Sequence, residues 1–242
     1  MTASPIKAIL FDKDGTLLDY QRTWAPINRA AADLAASGDP ALAAHLLSVG
    51  GMDPESGQTS SNSLLAAGNT DEIARAWIEA GARFSVGELT AALDTLFTAA
   101  VSDAVPVTNL VKLFRNLHER GFRLGIASSD SQAAIEGLVE RLSLTPWIDF
   151  IAGYDSGYGV KPEPGMLLAF CEAMGVSPAQ TAVVGDNPHD MNMAISGGAG
   201  LRVGVLTGTG TRDVLQPLCD VCLPGIQTLA TDIFENIAAS RT

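Results

Sequence analysis

The chain has 242 residues, of which 47% are hydrophobic and 17% are charged. This length provides enough apolar side chains for one large domain or two smaller ones. The formal net charge of −12 argues against binding to nucleic acid or to an anionic membrane surface, because both need clusters of Lys and Arg. Three cysteines are too few, and odd in number, for a disulfide framework, which fits a reducing compartment. The first residues also lack the long apolar run of a signal peptide, so we predict a cytoplasmic protein.

Short apolar runs alternate with amphipathic segments along most of the chain. The predicted strands are residues 6–11, 122–127, 150–152, 181–185, 201–206 and 219–223. The predicted helices that alternate with them are residues 110–120, 132–142, 163–174, 189–196 and 225–237. Buried strands that alternate with helices indicate an α/β fold, a doubly wound parallel sheet covered by helices on both faces.

The segment between the first two strands has helical periodicity and no strand pattern. Its predicted helices are residues 25–36, 40–48, 71–80 and 86–99. A polar, glycine-rich loop, residues 50–63, lies in the middle of the segment. We therefore predict two domains, an α/β core of residues 1–18 and 106–242 and a smaller all-helical domain of residues 19–105.

Polar residues follow several of the predicted strands, and ligands of parallel sheets bind at the carboxyl ends of the strands. Asp12 and Asp14 follow the first strand, and Asp186 follows the fourth. Carboxylates that meet at one edge repel one another unless a cation joins them, and oxygen ligands suit Mg²⁺. The sequence therefore predicts a Mg²⁺ site, which together with Lys161 would neutralise the carboxylates locally inside an acidic protein.

Other polar residues near these strand ends are interpreted as structural. The side-chain alternation of an extended strand predicts that Lys13 turns away from the site. Asp19 and Asp130 are interpreted mainly as capping residues. Asp155 is interpreted either as a hydrogen-bond partner that fixes the loop lysine or as a turn residue. Residues 206–213, LTGTGTRD, lack the glycine spacing of a nucleotide-binding loop and are interpreted as an ordinary strand-to-helix turn.

Four motifs, in order and on the corresponding elements, make this chain resemble the haloacid-dehalogenase-like (HAD) superfamily and its phosphoglycolate-phosphatase-like branch. FDKDGTLLD matches the first motif, DxDGT, and IASSD matches the second; VKPEP matches the third, and VVGDNPHDM matches the fourth, GDxxxD. The resemblance covers the whole chain, including a helical cap inserted after the first strand. It implies a Rossmann-like core and a Mg²⁺-dependent phosphatase that hydrolyses small phosphate monoesters through an aspartyl-phosphate intermediate.

The resemblance also implies the residues of catalysis and metal binding. Asp12 would be the nucleophile that attacks phosphorus. Asp14 would be the general acid that protonates the leaving oxygen and then the base that activates water. Mg²⁺ would be bound by the carboxylates of Asp12 and Asp186 and by the backbone carbonyl of Asp14.

Further residues are implied around the substrate phosphate. The Ser128 hydroxyl and the Ser129 backbone N–H would bind the phosphoryl oxygens. Lys161 would bind the same phosphate and pair with the nucleophile. Asp190 would orient Lys161 or a metal-bound water. Asn187 follows the first aspartate of the fourth motif, a position where Ser or Thr is frequent in the family, and it would still donate a hydrogen bond there.

Two other functions remain as alternatives. A phosphosugar mutase of this fold uses the same two aspartates, and a non-catalytic phosphate-binding regulatory module could share the scaffold. The substrate of a phosphatase is left open between phosphoglycolate, a sugar phosphate and a nucleoside monophosphate. Loop 50–63 is expected to influence substrate preference more than turnover of a generic aryl phosphate. One cap arginine could bind a substrate carboxylate or second phosphate, from the set Arg22, Arg29, Arg75 and Arg83.

Overall fold

The computed structural model describes residues 6–100 and 104–229. Its centre is a six-stranded sheet in which every neighbouring pair of strands is parallel. The strands are β1 (Ala8–Phe11), β2 (Arg123–Ala127), β3 (Phe150–Ala152), β4 (Thr181–Gly185), β5 (Leu201–Val205) and β6 (Val221–Leu223). Their spatial order is β3-β2-β1-β4-β5-β6, which reverses direction between β1 and β4. This order confirms the predicted doubly wound fold.

Ten α-helices are found among the described residues. Those before β2 are α1 (Tyr20–Ala35), α2 (Pro40–Val49), α3 (Leu64–Ala67), α4 (Thr70–Glu79), α5 (Val86–Ala100) and α6 (Leu110–Glu119). Those after β2 are α7 (Gln132–Arg141), α8 (Gly165–Met174), α9 (Pro188–Gly197) and α10 (Arg212–Leu215). Single 3₁₀ turns are formed by Thr145–Trp147, Pro178–Gln180 and Ile226–Thr228.

The first strand shows why the sheet is covered on both faces. Ile9 and Phe11 belong to a hydrophobic cluster with side chains of α6 and α7. Ala8 and Leu10 point the other way and belong to a cluster with side chains of α8 and α9. Because successive side chains of a strand alternate between faces, a strand buried on both sides must be apolar throughout, as AILF is.

The helices before α6 share a hydrophobic cluster of their own. Trp77 of α4 belongs to it and has no exposed surface, and side chains of α1, α2 and α5 belong to the same cluster. No helix within residues 6–100 and 104–229 has the length and apolar character needed to cross a membrane.

The helix and strand bounds differ from the predicted ones mainly at the ends. Helix α1 begins at Tyr20 instead of residue 25, because the Asp19 carboxylate caps it by accepting a hydrogen bond from the Arg22 backbone N–H at 3.0 Å. Pro26 lies inside α1. The short helices α3 and α10 were not predicted, since four residues show no helical periodicity. Most of the predicted helix 225–237 lies outside the described residues.

Candidate active site

Three carboxylates meet where the strand order reverses. Asp12 follows β1, Asp186 follows β4, and Asp190 lies in the first turn of α9. Carboxylate oxygens of the three lie within 4.8 Å of one another, and all three residues are buried. The position of Asp190 follows from a capping box, in which its Oδ2 accepts a hydrogen bond from the Asn187 backbone N–H at 3.0 Å. The predicted first and fourth motifs are therefore brought together.

Lys161 lies between two of these carboxylates. Its Nζ is 2.7 Å from Asp12 Oδ1 and 2.6 Å from Asp190 Oδ1, and the lysine is buried. Burial by itself lowers the pKa of Lys161, but the adjacent Asp12 and Asp190 carboxylates outweigh burial and raise it. The ammonium group is therefore charged at neutral pH, and it fixes the position of Asp12.

The positive charge of one lysine does not balance three carboxylates. Burial raises the pKa of Asp12 to about 6, although Lys161 opposes this rise. Burial also raises the pKa of Asp186 well above its usual range, and the neighbouring Asp12 and Asp190 raise it further. A divalent cation bound to these oxygens would lower both pKa values and favour the ionised carboxylates. The all-oxygen donor set and the excess of negative charge fit Mg²⁺.

The side chain of Asp14 is held on both of its oxygens. Lys13 Nζ is 2.6 Å from Asp14 Oδ2, and the Trp24 indole N–H donates to Asp14 Oδ1 at 2.6 Å. The alternation of side chains along the strand predicted that Lys13 turns away from the site. Lys13 does not line the cavity described below, but its ammonium contacts the predicted general acid.

The same lysine also pairs with Asp130. Lys13 Nζ lies 3.1 Å from Asp130 Oδ2 and 5.3 Å from the centroid of the Trp24 ring. Lys13 and Asp130 are both buried. Asp130 therefore has a role beyond the predicted capping, and Ser131 is the N-cap of α7. Burial raises the pKa of Asp130, and Lys13 opposes that rise.

The two serines of the second motif lie at the end of β2. Ser128 is buried, and its Oγ accepts a hydrogen bond from the Asp130 backbone N–H at 3.2 Å. The Ser129 hydroxyl donates to the Ala67 carbonyl at 3.1 Å, which connects this motif to α3. Asp155 Oδ1 accepts from the Gln132 backbone N–H at 2.7 Å, so this aspartate caps the start of α7.

Residues 206–213 contribute more than an ordinary turn. The Thr209 backbone N–H donates to Asp186 Oδ2 at 2.8 Å. The Thr207 hydroxyl donates to the Gly15 carbonyl at 2.6 Å, and the Asn187 side-chain amide donates to Thr209 Oγ1 at 3.3 Å. The loop therefore holds together the first and fourth motifs. In the sequence, the only sign of this role was the alternation of Thr and Gly after a predicted strand. That pattern does not show which residues Thr207 and Thr209 contact.

A cavity of about 70 Å³ lies over these residues, between the sheet edge and the helices before α6. Every predicted site residue lines it: Asp12, Asp14, Ser128, Ser129, Lys161, Asp186, Asn187 and Asp190. Its other wall comes from α1, α3, α4 and α5. Residues 50–63 are all described and none lines the cavity, whereas the adjoining Leu65–Gly68 segment does. The structure therefore places α3 and the residue after it, not the predicted loop, against the site.

Sequence reasoning missed the contribution of helix α1 to this wall. Tyr20, Trp24 and Asn28 line the cavity from successive turns of the helix. Their spacing of four residues places them on one face of α1, and this was the available signal. Residues spaced in this way on a helix far more often face a hydrophobic core than a ligand site. Only the position of α1 over the sheet identifies these three residues as part of the cavity wall.

Comparison with known proteins gives consistent matches. A family model described as haloacid dehalogenase-like hydrolase matches residues 6–198. "Probable phosphatase IndB" of Dickeya dadantii (strain 3937) is 35% identical over 100 residues, so the match covers 41% of this chain and only 43% of that protein. "Phosphoglycolate phosphatase" of Escherichia coli (strain K12) is 26% identical over 253 residues, covering 93% of this chain and 91% of that protein. A HAD hydrolase, family IA, variant 3, from Entamoeba histolytica HM-1:IMSS shares the fold, with a TM-score of 0.74, 18% identity, and coverage of 97% of this chain and 100% of that one.

Proposed function

This chain belongs to the haloacid-dehalogenase-like hydrolase family, and from this membership we propose that it is a Mg²⁺-dependent phosphatase acting on small phosphate monoesters. The observation that supports the proposal most strongly is the buried group of Asp12, Asp186 and Asp190 with Lys161 at the reversal of the strand order. Three buried carboxylates beside a buried lysine suit phosphoryl transfer, because that reaction depends on positioning the reacting groups and neutralising their charge. The matched relatives that are named phosphatases support the same class of reaction.

The proposed reaction has two steps. In the first, a carboxylate oxygen of Asp12 forms a bond to phosphorus while the bond from phosphorus to the ester oxygen breaks. The Asp14 carboxyl gives its proton to that oxygen, which leaves as an alcohol. In the second step, Asp14 takes a proton from water as the water oxygen attacks phosphorus, and the bond to Asp12 breaks. Inorganic phosphate is released and Asp12 is regenerated.

The remaining residues bind and neutralise the phosphoryl group. We propose that Lys161, the Ser128 hydroxyl and the Ser129 backbone N–H hold its oxygens, and that Asp190 and Asn187 position this group of residues. The carboxylates of Asp12 and Asp186 and the Asp14 backbone carbonyl would hold Mg²⁺. When bound, the ion would stabilise negative charge on the transferring phosphoryl group.

We further propose that residues 19–105 act as a cap domain over a core of residues 1–18 and 106–242. Helices α1–α5 have a hydrophobic cluster of their own, as expected for a unit that moves as a body. Polar contacts between the two parts include the bond from Ser129 to Ala67 and a bond from the Tyr154 hydroxyl to Asp94 Oδ2 at 3.1 Å. Opening of the cap would admit substrate, and closing would exclude water.

The proposal is tested by measuring phosphate release from a panel of phosphate monoesters, with Mg²⁺ and with EDTA. We expect release that requires Mg²⁺. If folded protein released no phosphate from any compound, the phosphatase assignment would be wrong. Isomerisation of a sugar phosphate would then identify a mutase, and phosphate binding with neither activity would identify a binding module.

The metal assignment makes a separate prediction about Gly208. A Cβ added to Gly208 would meet the Asp186 carboxylate, which is buried and cannot withdraw freely. We expect Gly208→Ala to weaken Mg²⁺ affinity by about ten- to a hundredfold, because the added methyl group would displace the Asp186 carboxylate from the metal. The measurement is the Mg²⁺ concentration that gives half-maximal activity, supported by calorimetric titration.

The matched control is Gly137→Ala in α7, where an added Cβ meets no atom within 4 Å. This change should leave Mg²⁺ affinity unaltered and stabilise the helix by about 0.5–1 kcal/mol. Equal Mg²⁺ affinity in the two variants would argue that Asp186 does not bind the metal.

A further inference from the structure

The cap side of the cavity is mostly apolar. Trp24 and Phe97 meet edge to face, with ring centroids 5.2 Å apart, and both line the cavity. Leu65 and Ile73 extend the apolar wall. Among the residues that the structure describes, the cap contributes no Lys, Arg or His to the lining. The organic part of a substrate would therefore lie against a surface that carries no positive charge.

The cap arginines are engaged or exposed elsewhere. Arg75 forms an ion pair with Asp71 at 2.6 Å on the outer surface of α4. An Arg29 guanidinium nitrogen donates to the Pro54 carbonyl at 3.2 Å. Arg22 and Arg83 are exposed and do not line the cavity. The possibility that one of these arginines binds a substrate carboxylate therefore has no support in the structure.

The two lysines on the core side are already paired with carboxylates. Lys161 already contacts Asp12 and Asp190, and Lys13 contacts Asp14 and Asp130. His189 lines the cavity, but burial and the charge of Lys161 lower its pKa, so its ring is neutral at pH 7. A second anionic group on a substrate, such as a carboxylate, would be buried near acidic residues without a counter-charge. The site therefore favours an organic group that is uncharged.

One polar group in the cap wall lacks a partner. Asn28 is 1% exposed and lines the cavity, and its side-chain nitrogen makes no hydrogen bond of normal geometry. The nearby Tyr20 hydroxyl donates to the Leu65 carbonyl at 2.6 Å. Burial raises the pKa of Tyr20, and the neighbouring Asn28 amide opposes that rise. Because an amide nitrogen carries two N–H groups, contact with Tyr20 occupies at most one of them.

Buried donors are rarely left unpaired in folded proteins unless a ligand or water completes them. The Asn28 amide is placed to donate to an oxygen of a molecule in the cavity. The Asn28 amide lines the same cavity as Ser128 and Lys161, so one bound molecule could contact all three.

We propose, on the basis of the phosphatase function above, that the substrate is the monophosphate of an uncharged alcohol with a hydroxyl or carbonyl oxygen that accepts a hydrogen bond from Asn28. Asn28 is then a specificity-determining residue. Phosphoglycolate, which carries a carboxylate, would be a poor substrate, although a relative of this chain is named for it.

Three two-carbon esters test this inference in the wild-type protein with Mg²⁺. Ethyl phosphate has no acceptor, 2-hydroxyethyl phosphate has an uncharged acceptor, and phosphoglycolate has an anionic one. We expect kcat/KM for 2-hydroxyethyl phosphate to exceed the values for the other two by about tenfold, the effect of one buried hydrogen bond or of one unpaired charge. A higher kcat/KM for phosphoglycolate would overturn the inference and leave the phosphatase function intact.

The role of Asn28 is tested with Asn28→Leu, which keeps the side-chain size and removes the donor. We expect the ratio of kcat/KM for 2-hydroxyethyl phosphate to that for ethyl phosphate to fall about tenfold, toward one. Asn116→Leu, on an exposed face of α6, should leave the ratio unchanged. An equal loss on both esters in Asn28→Leu would show a structural role and overturn the assignment. Absence of turnover on every ester, in a wider panel as well, would overturn the proposed function together with this inference.

Discussion

Replacement of Asp12 by asparagine is expected to lower kcat for phosphate release by about a thousandfold or more. The carboxamide is nearly the size of the carboxylate, but it is not a nucleophile toward phosphorus. It also removes one of the two negative charges that contact Lys161. Steady-state phosphate release measures the loss. Rapid acid quenching followed by mass spectrometry should detect a phosphoryl group on Asp12 in the wild type and none in the variant.

The matched control is Asp33→Asn, which makes the same chemical change at an exposed position of α1. We expect its kcat to equal that of the wild type. Circular dichroism of both variants separates loss of chemistry from loss of fold. An Asp12→Asn protein that kept a tenth or more of the wild-type kcat would exclude Asp12 as the nucleophile.

Replacement of Lys13 by methionine is expected to lower the free energy of unfolding by about 3–5 kcal/mol, because it removes one partner of a buried ion pair. Methionine has nearly the same length, so packing changes little. The Asp14 and Asp130 carboxylates, however, would lose the ammonium that lies 2.6 and 3.1 Å from them. Urea denaturation at neutral pH, without Mg²⁺, measures the change.

Two further variants make this result specific. Lys112→Met, at an exposed position of α6, should change the free energy of unfolding by no more than about 0.5 kcal/mol. The double variant Lys13→Met, Asp130→Asn should be more stable than the sum of the single changes predicts, by about 0.5–3 kcal/mol. Additive effects would mean that Lys13 and Asp130 do not stabilise each other.

Much of the molecule follows from local sequence. The strand AILF is apolar at every position, which specifies burial on both faces, and the spacing of apolar residues in α6 specifies one buried face. Helix ends also have local causes, such as Gly175, which ends α8 with φ of 65°, a conformation that side chains disfavour. The sequence therefore determined the parallel sheet, and with it the strand ends at which Asp12 and Asp186 meet.

The tertiary structure alone decided which groups complete the site. Thr207 donates to Gly15, a residue 192 positions away, and Ser129 donates to Ala67, which is 62 positions away. Neither bond has a local pattern, because it depends on how separate elements pack. The orientation of the Lys13 ammonium also depends on tertiary contacts, because it pairs with Asp130 and lies over the Trp24 ring. The unpaired amide of Asn28 cannot be recognised from the sequence, because its burial depends on how α1 packs over the sheet and not on the local segment.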